Sequence, residues 1–258
     1  NIATTMAKGL TGTLTNEGTL DISGDLAITG GELVNAAGAT LDYRSGVVSM
    51  TTNPTDRIRN EGTMTISSTG VKALEGFLLN NADLDITGEI TVTGGEIVNA
   101  SGATTNFTDG SVTLTGATDL IRNQSGGTLN FNAASGQSAD INGSGRVLNE
   151  VGGIAELSDV GGIDLNTTGV GIENDGTFTW GSSATLDLQM AGSEFQNDGT
   201  FHFNGSVNRT LAGPGTFTNN GTFNHSATGN DNLQAITSGG AFDNFGLFDI
   251  TVIGNFVL

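Results

Sequence analysis

The sequence predicts an all-β chain folded as a right-handed parallel β-helix (β-solenoid) of about eleven coils with an internal asparagine ladder. Three observations predict it. An Asn recurs at nearly even spacing, at Asn16, Asn35, Asn60, Asn80, Asn99, Asn123, Asn149, Asn174, Asn197, Asn219 and Asn244, in steps of 19 to 26 residues. Two residues before each stands an apolar side chain, from Leu14 and Leu33 to Phe217 and Phe242. Apolar and polar residues alternate on both sides of each Asn, which is the period of a strand with one buried face. A repeat in the low twenties with no helical pattern between copies is the mark of a solenoid.

Each element follows from that register. One inward ladder is the residue two before the Asn. A second runs Leu20, Leu41, Met64, Leu84, Thr105, Leu129, Ala155, Phe178, Phe201, Phe223 and Phe248. A third runs Ile22, Tyr43, Ile66, Ile86, Phe107, Phe131, Leu157, Trp180, Phe203, His225 and Ile250. A third strand closes each coil, clearest in Asp25-Leu-Ala-Ile-Thr-Gly-Gly31 and Glu89-Ile-Thr-Val-Thr-Gly-Gly95. Coils of three short parallel strands stack about 4.8 Å apart, so eleven would make a rod on the order of 50 Å long. Parallel crossovers favour the right hand. Asn tolerates the left-handed bend at a corner, bonds neighbouring backbone, and can bond its own kind in a stack. The eleven Asn residues are therefore expected to be structural.

Residues 1–258 form one solenoid domain with no linker. Within it, residues 14–60 align with 78–123, so three coils are copied as a block. Gly30-Gly-Glu-Leu-Val-Asn-Ala36 matches Gly94-Gly-Glu-Ile-Val-Asn-Ala100, and Asp56-Arg-Ile-Arg-Asn60 matches Asp119-Leu-Ile-Arg-Asn123.

Composition narrows the partners. The chain has 27 acidic and 8 basic residues, a net charge of −19, which repels nucleic acid and anionic membranes. With no Cys there is no disulfide or thiolate chemistry. No signal peptide or transmembrane run is legible, so membrane insertion is not expected. Glycine, at 41 residues against 2 prolines, fits many tight turns that need positive φ.

The recurring Asn-x-Gly-Thr-Leu/Phe strand, as in Asn16-Glu-Gly-Thr-Leu-Asp-Ile22 and Asn197-Asp-Gly-Thr-Phe-His-Phe203, resembles the repeat regions of large bacterial extracellular surface proteins, namely filamentous-haemagglutinin-like adhesins and autotransporter passengers. The resemblance covers roughly residues 10–250. It implies a secreted β-solenoid at the bacterial cell surface. The secretion domain of the haemagglutinin group, the membrane barrel of autotransporters and the calcium nonapeptide of RTX repeats have no counterpart in the sequence.

The expected role is structural, without catalysis: an extracellular subunit of an end-to-end self-assembling surface filament, or a rod segment of a large adhesin. Bare solenoid ends recruit other chains, and head-to-tail contact does not close. Ile2 at one end, and Ile253, Phe256, Val257 and Leu258 at the other, are the expected contacts, with the chain itself as partner. The alternative is a carbohydrate-binding or polysaccharide-degrading β-helix module, acting on host or matrix polysaccharide. An inverting glycosidase needs two carboxylates about 6.5–9.5 Å apart, and Asp83 with Asp85, or Asp21 with Asp85, are the candidates. A third reading places receptor specificity in longer coil loops near 44–56, 108–119 and 132–146.

No cofactor is expected and no resident metal. Asn230-Asp231-Asn232 could lend oxygens to loosely bound calcium, though a plain polar loop is the simpler reading. His202 lies outward and His225 inward, so neither reads as catalytic. Trp180 and Tyr43 read as core residues and not as sugar-stacking platforms. Thr91-Val-Thr93 and Thr113-Leu-Thr115 do not recur coil after coil, which argues against a flat threonine face.

Overall fold

A computed structural model describes residues 8–50, 55–67, 70–158, 161–181, 183–204, 209–228, 233–234 and 239–253. It is an all-β parallel solenoid with no helix among the described residues. One coil shows the plan: Glu96–Asn99 ends at the ladder Asn, Thr104–Phe107 follows, and Ser111–Leu114 closes the turn. Each strand pairs in parallel with its counterpart one coil on, Leu120–Asn123, Thr128–Phe131 and Ser138–Gly143. The expectation of about eleven coils is reduced to about nine turns. Eleven rungs bound ten steps, and several of these pass through residues outside the described set.

All three inward ladders stand in the register read from the sequence. In the first, Leu33, Ile58, Leu78, Ile97, Ile121, Val147, Ile172, Phe195 and Phe217 are buried. Leu14, at the outermost described coil, is 39% exposed, because no described strand stacks beyond it. The second and third ladders pair residue for residue, for example Leu84 with Thr105 with Leu129, and Ile86 with Phe107 with Phe131. The side chain of Ile250 lies outside the described residues.

Toward the C-terminal half the core turns aromatic. Phe178, Phe201, Phe223 and Phe248 stack with centroids 5.2, 5.1 and 5.0 Å apart. Phe195, Phe217 and Phe242 form a second column at 4.9 and 5.1 Å. These distances track the strand spacing, so offset stacking follows directly from coil stacking. The two columns meet edge to face, as at Phe195–Phe201, 5.5 Å and 86°. Stacked within a column and edge-on between columns, the rings satisfy both preferred aromatic geometries at once.

Many glycines supply positive φ in turns, as the composition suggests. Gly102, Gly126 and Gly152 do adopt it. In several coils the glycine of Asn-x-Gly serves another purpose. A Cβ on Gly199 would lie 2.2 Å from Gly176 O, and one on Gly221 2.1 Å from Gly199 O. At Gly199 and Gly221 the coil backbones approach too closely for a Cβ without a shift, although the equivalent place in the coil of Asn80 is held by Ala82. Gly199→Ala is therefore expected to destabilise the rod by about 2 kcal/mol, as overpacking does, read as a lower urea midpoint. Gly18, whose added Cβ would meet nothing, should tolerate Ala.

The duplicated block repeats its contacts as well as its residues. Arg59 Nη2 pairs with Glu32 at 3.0 Å, and Arg122 Nε with Glu96 at 2.5 Å. Gly31 N donates to Asp56 Oδ1 at 2.8 Å, and Gly95 N to Asp119 Oδ1 at 3.1 Å. The guanidinium of Arg59, and after it that of Arg57, holds the Glu32 carboxyl below the usual range.

Candidate functional site

The feature that runs the length of the molecule is the ladder itself. From Asn16 to Asn244 every Nδ2 donates to the Oδ1 of the next Asn, ten bonds of 2.6–2.9 Å. The second amide hydrogen crosses to the next coil's backbone, as from Asn99 to Thr128 O at 2.9 Å and from Asn123 to Ile154 O at 3.0 Å. From Asn35 to Asn219 the rungs are buried. A buried amide row in which each donor has its acceptor is stabilising and fixes register; partly filled, it would be costly.

The proposed carboxylate pairs are not all brought together. Asp21 and Asp85 share a column, Asp21–Asp42–Thr65–Asp85, and so stand three coils apart, about 14 Å at the spacing of parallel strands. That is beyond the span of an inverting pair. Asp83 and Asp85 alternate outward on one strand, as expected, and Asp85 accepts from Asn106 Nδ2 at 2.7 Å. The stretches read as receptor loops, near 44–56, 108–119 and 132–146, each contain strand, within Thr40–Met50, Ser111–Leu114 and Ser138–Gly143, with turns or irregular backbone beside it among the described residues. Ile2, Phe256, Val257 and Leu258, and the Asn230-Asp231-Asn232 loop, lie outside the described residues, and Ile253 is described only as backbone.

Two carboxylate groups emerge that the repeat did not announce. Asp140, Asp164 and Asp187 stack in register on the outer side of the closing strands. Burial, then the neighbouring Asp140 and Asp187, push the Asp164 carboxyl up, and burial raises Asp187. The signal was there, an Asp between two apolar residues in Ile163-Asp-Leu165 and Leu186-Asp-Leu188, but uneven loop lengths hid the alignment. Glu173, Asp175 and Asp198 gather oxygens within 4.8 Å of one another, a set that could hold a divalent cation. Arg146 Nε lies 2.7 Å from Glu173, and Asn220 Nδ2 donates to Asp198 at 2.7 Å. Burial, and then the charge of Asp198, raise Asp175.

A single threonine column recurs at another position, apart from the Thr-x-Thr stretches. Thr19, Thr40, Thr63, Thr104, Thr128, Thr177, Thr200 and Thr222 share one outward register, interrupted by Asp83 and Ile154. It includes the Thr of the recurring Asn-x-Gly-Thr motif, and, where the corner is longer, Thr40, Thr104 and Thr128 take the same place.

The remaining candidates are core, as read. Tyr43 is buried, its hydroxyl 2.7 Å from Gly46 O and 2.6 Å from Ala73 O, and burial raises its pKa. Trp180 and His225 are buried, while His202 lies outward beside Asn224. Lys72 is unexpected: it is buried, in register with Gly46 of the preceding coil. Its Nζ donates to Gly70 O at 2.7 Å, and burial holds the ammonium below its usual range. The unfolded chain then binds that proton more readily, so stability rises as pH climbs toward the ordinary Lys value of about 10.4. Lys72→Met, which keeps the stem and drops the charge, is expected to raise the urea midpoint at neutral pH and to flatten this alkaline rise. A lower midpoint would mean that the ammonium's bonds outweigh its burial.

No helix among the described residues is long and apolar enough to cross a membrane. No family model matches the chain, and no curated protein matches it. Among solved structures it is similar to a hyper-glycosylated TibA fragment, modified by TibC, at 18% identity over 92% of this chain and 94% of that one, with a TM-score of 0.31.

Proposed function

We propose that the chain is a structural rod of an extracellular bacterial surface protein, adhesin-like in build, whose work is mechanical. The unbroken Asn ladder carries this reading: every coil is tied to the next by the same hydrogen bond between side-chain amides, in addition to its backbone pairing. Such a molecule resists bending and peeling along its whole length, and its acidic sides keep parallel rods apart or let divalent cations bridge them. The rod serves either as a shaft segment of a longer adhesin or as a subunit joined head to tail through the apolar residues at its ends.

Electron microscopy of native material, with the termini fixed by mass spectrometry, tests it. Long fibres built from chains ending at Asn1 and Leu258 support the filament; short rods within a larger parent chain support the shaft. Compact, non-rod particles would sink both. A polysaccharide digest abolished by Asp164→Asn would replace the mechanical reading with the carbohydrate-active one.

A further inference from the structure

In six successive coils, those of Asn35 to Asn149, the outer face of the strand that ends at the Asn is unlike a solvated surface. Its outward residues stand one and three before the Asn. Six of the twelve are apolar: Val34, Phe77, Leu79, Val98, Leu120 and Leu148. The strand after the Asn differs. From Thr40 and Asp42 to Thr128 and Asn130, its outward residues are Thr, Asp or Asn alone. Phe77-Leu78-Leu79 is apolar on both sides of its sheet, the habit of a parallel strand covered on both faces. Phe77, Leu79 and Leu148 keep part of their surface exposed.

Charge singles out the same face. Arg57, Arg59, Arg122 and Arg146, four of the chain's six Arg, lie on it. Glu32, Glu61, Glu96, Glu150 and Glu173, on or beside it, hold them in ion pairs. Its outward charge is therefore close to balanced, on a chain of net −19. Two copies repel elsewhere and approach most easily here. Arg and aromatic side chains without Lys are also what protein interfaces favour.

We propose that this face receives the same face of a second copy, rod against rod and antiparallel, related by a two-fold axis lying along the strands between the coils of Asn80 and Asn99. Such a contact is isologous and closes on itself. It sets Glu32 against the partner's Arg146, Val34 against the partner's Leu148, and Leu79 against the partner's Val98. Arg59 faces the partner's Arg122, and each is already held between two carboxylates. A parallel pairing would set Glu32 on the partner's Val34 and Arg146 on the partner's Leu148, and would lose the Glu–Arg contact. Six coils of four-residue strands cover on the order of 300 Å², below the roughly 800 Å² per partner of a standard interface. Free rods thus pair weakly, and rods anchored side by side pair readily, because their local concentration is high. The inference rests on the chain being a rod.

Small-angle scattering of the full chain over a concentration series, at about 0.15 M salt, reads rod length and mass per unit length separately. Expected at millimolar chain is a mass per unit length about 1.5 times that of the single rod, with the length grown by about 14 Å, the three-coil stagger that the axis imposes. Leu79→Lys, which brings two charges to the centre of the contact, should hold both at the single-rod values. Thr63→Lys, on the polar face, should leave the rise intact. The chain has no Cys, so orientation is read by oxidising a mixture of Val34→Cys and Leu148→Cys chains. Mixed disulfide dimers should exceed either homodimer severalfold. Single rods at every concentration, growth in length alone, a rise that survives Leu79→Lys, or an excess of homodimers would each overturn the proposal. Compact particles would overturn the rod reading itself and the pairing with it.

Discussion

Asn123→Ala is expected to destabilise the rod by about 3–5 kcal/mol. Asn123 accepts from Asn99 Nδ2 at 2.7 Å and donates to Asn149 Oδ1 at 2.7 Å and Ile154 O at 3.0 Å. Truncation strands a buried donor and two buried acceptors, each worth about 1–3 kcal/mol when left unmet, and relaxation of the corner recovers part of the sum. Asn244→Ala should lose only about 1 kcal/mol, because that rung is exposed and donates to Gly246 O at 3.3 Å. Urea unfolding of both variants checks the contrast. Equal, small effects would mean that the backbone pairing alone holds the coils and the amides merely occupy a corner.

Phe201→Ala is expected to be as damaging, about 4–5 kcal/mol, at the upper end for a buried Phe. Phe201 meets five rings: Phe178, Trp180, Phe195, Phe217 and Phe223, at 5.1 to 6.4 Å. Rigid rings on several sides cannot collapse into the hole. Leu129→Ala, in the same ladder between Thr105 and Ala155, should lose about 2–3 kcal/mol, since small neighbours leave less to strand. The form of the loss matters as much as its size. Each coil touches only its neighbours, so a defect of this depth should split one melting transition into two. Calorimetry would show the aliphatic N-terminal coils melting after the aromatic ones; a single sharp transition at lower temperature would contradict this.

What the sequence made legible was what repeats. The two strands flanking each Asn carry an apolar column, a marker amide and a corner of three or five residues, and each residue of those ladders pairs as read. The closing strand was harder. Loops of changing length precede it, and its alternation is ambiguous where it matters. In Val71-Lys72-Ala73-Leu74 a transfer argument puts Val71 and Ala73 inside. The structure does the reverse, because Leu74 must register with Val48 and Val92, which leaves Val71 80% exposed and Lys72 buried. The same uncertainty of register concealed the Asp140–Asp164–Asp187 row. The threonine of the repeat was legible as part of the Asn-x-Gly-Thr motif, but corners of two lengths kept its alignment into one column from showing in the spacing alone.

The repeated contacts of the copied block carry a consequence for heredity. An amide rung presents the same donor upward and the same acceptor downward, so any coil ending in Asn can follow any other. A mismatched exchange between the two copies would delete or add three coils, about 14 Å of rod at the spacing of parallel strands, and the seam would close on a Glu–Arg pair of the kind already found at both sites. Length in this molecule is thus a quantity that a genome can dial in whole steps, as on a ruler, without touching the chemistry of the join.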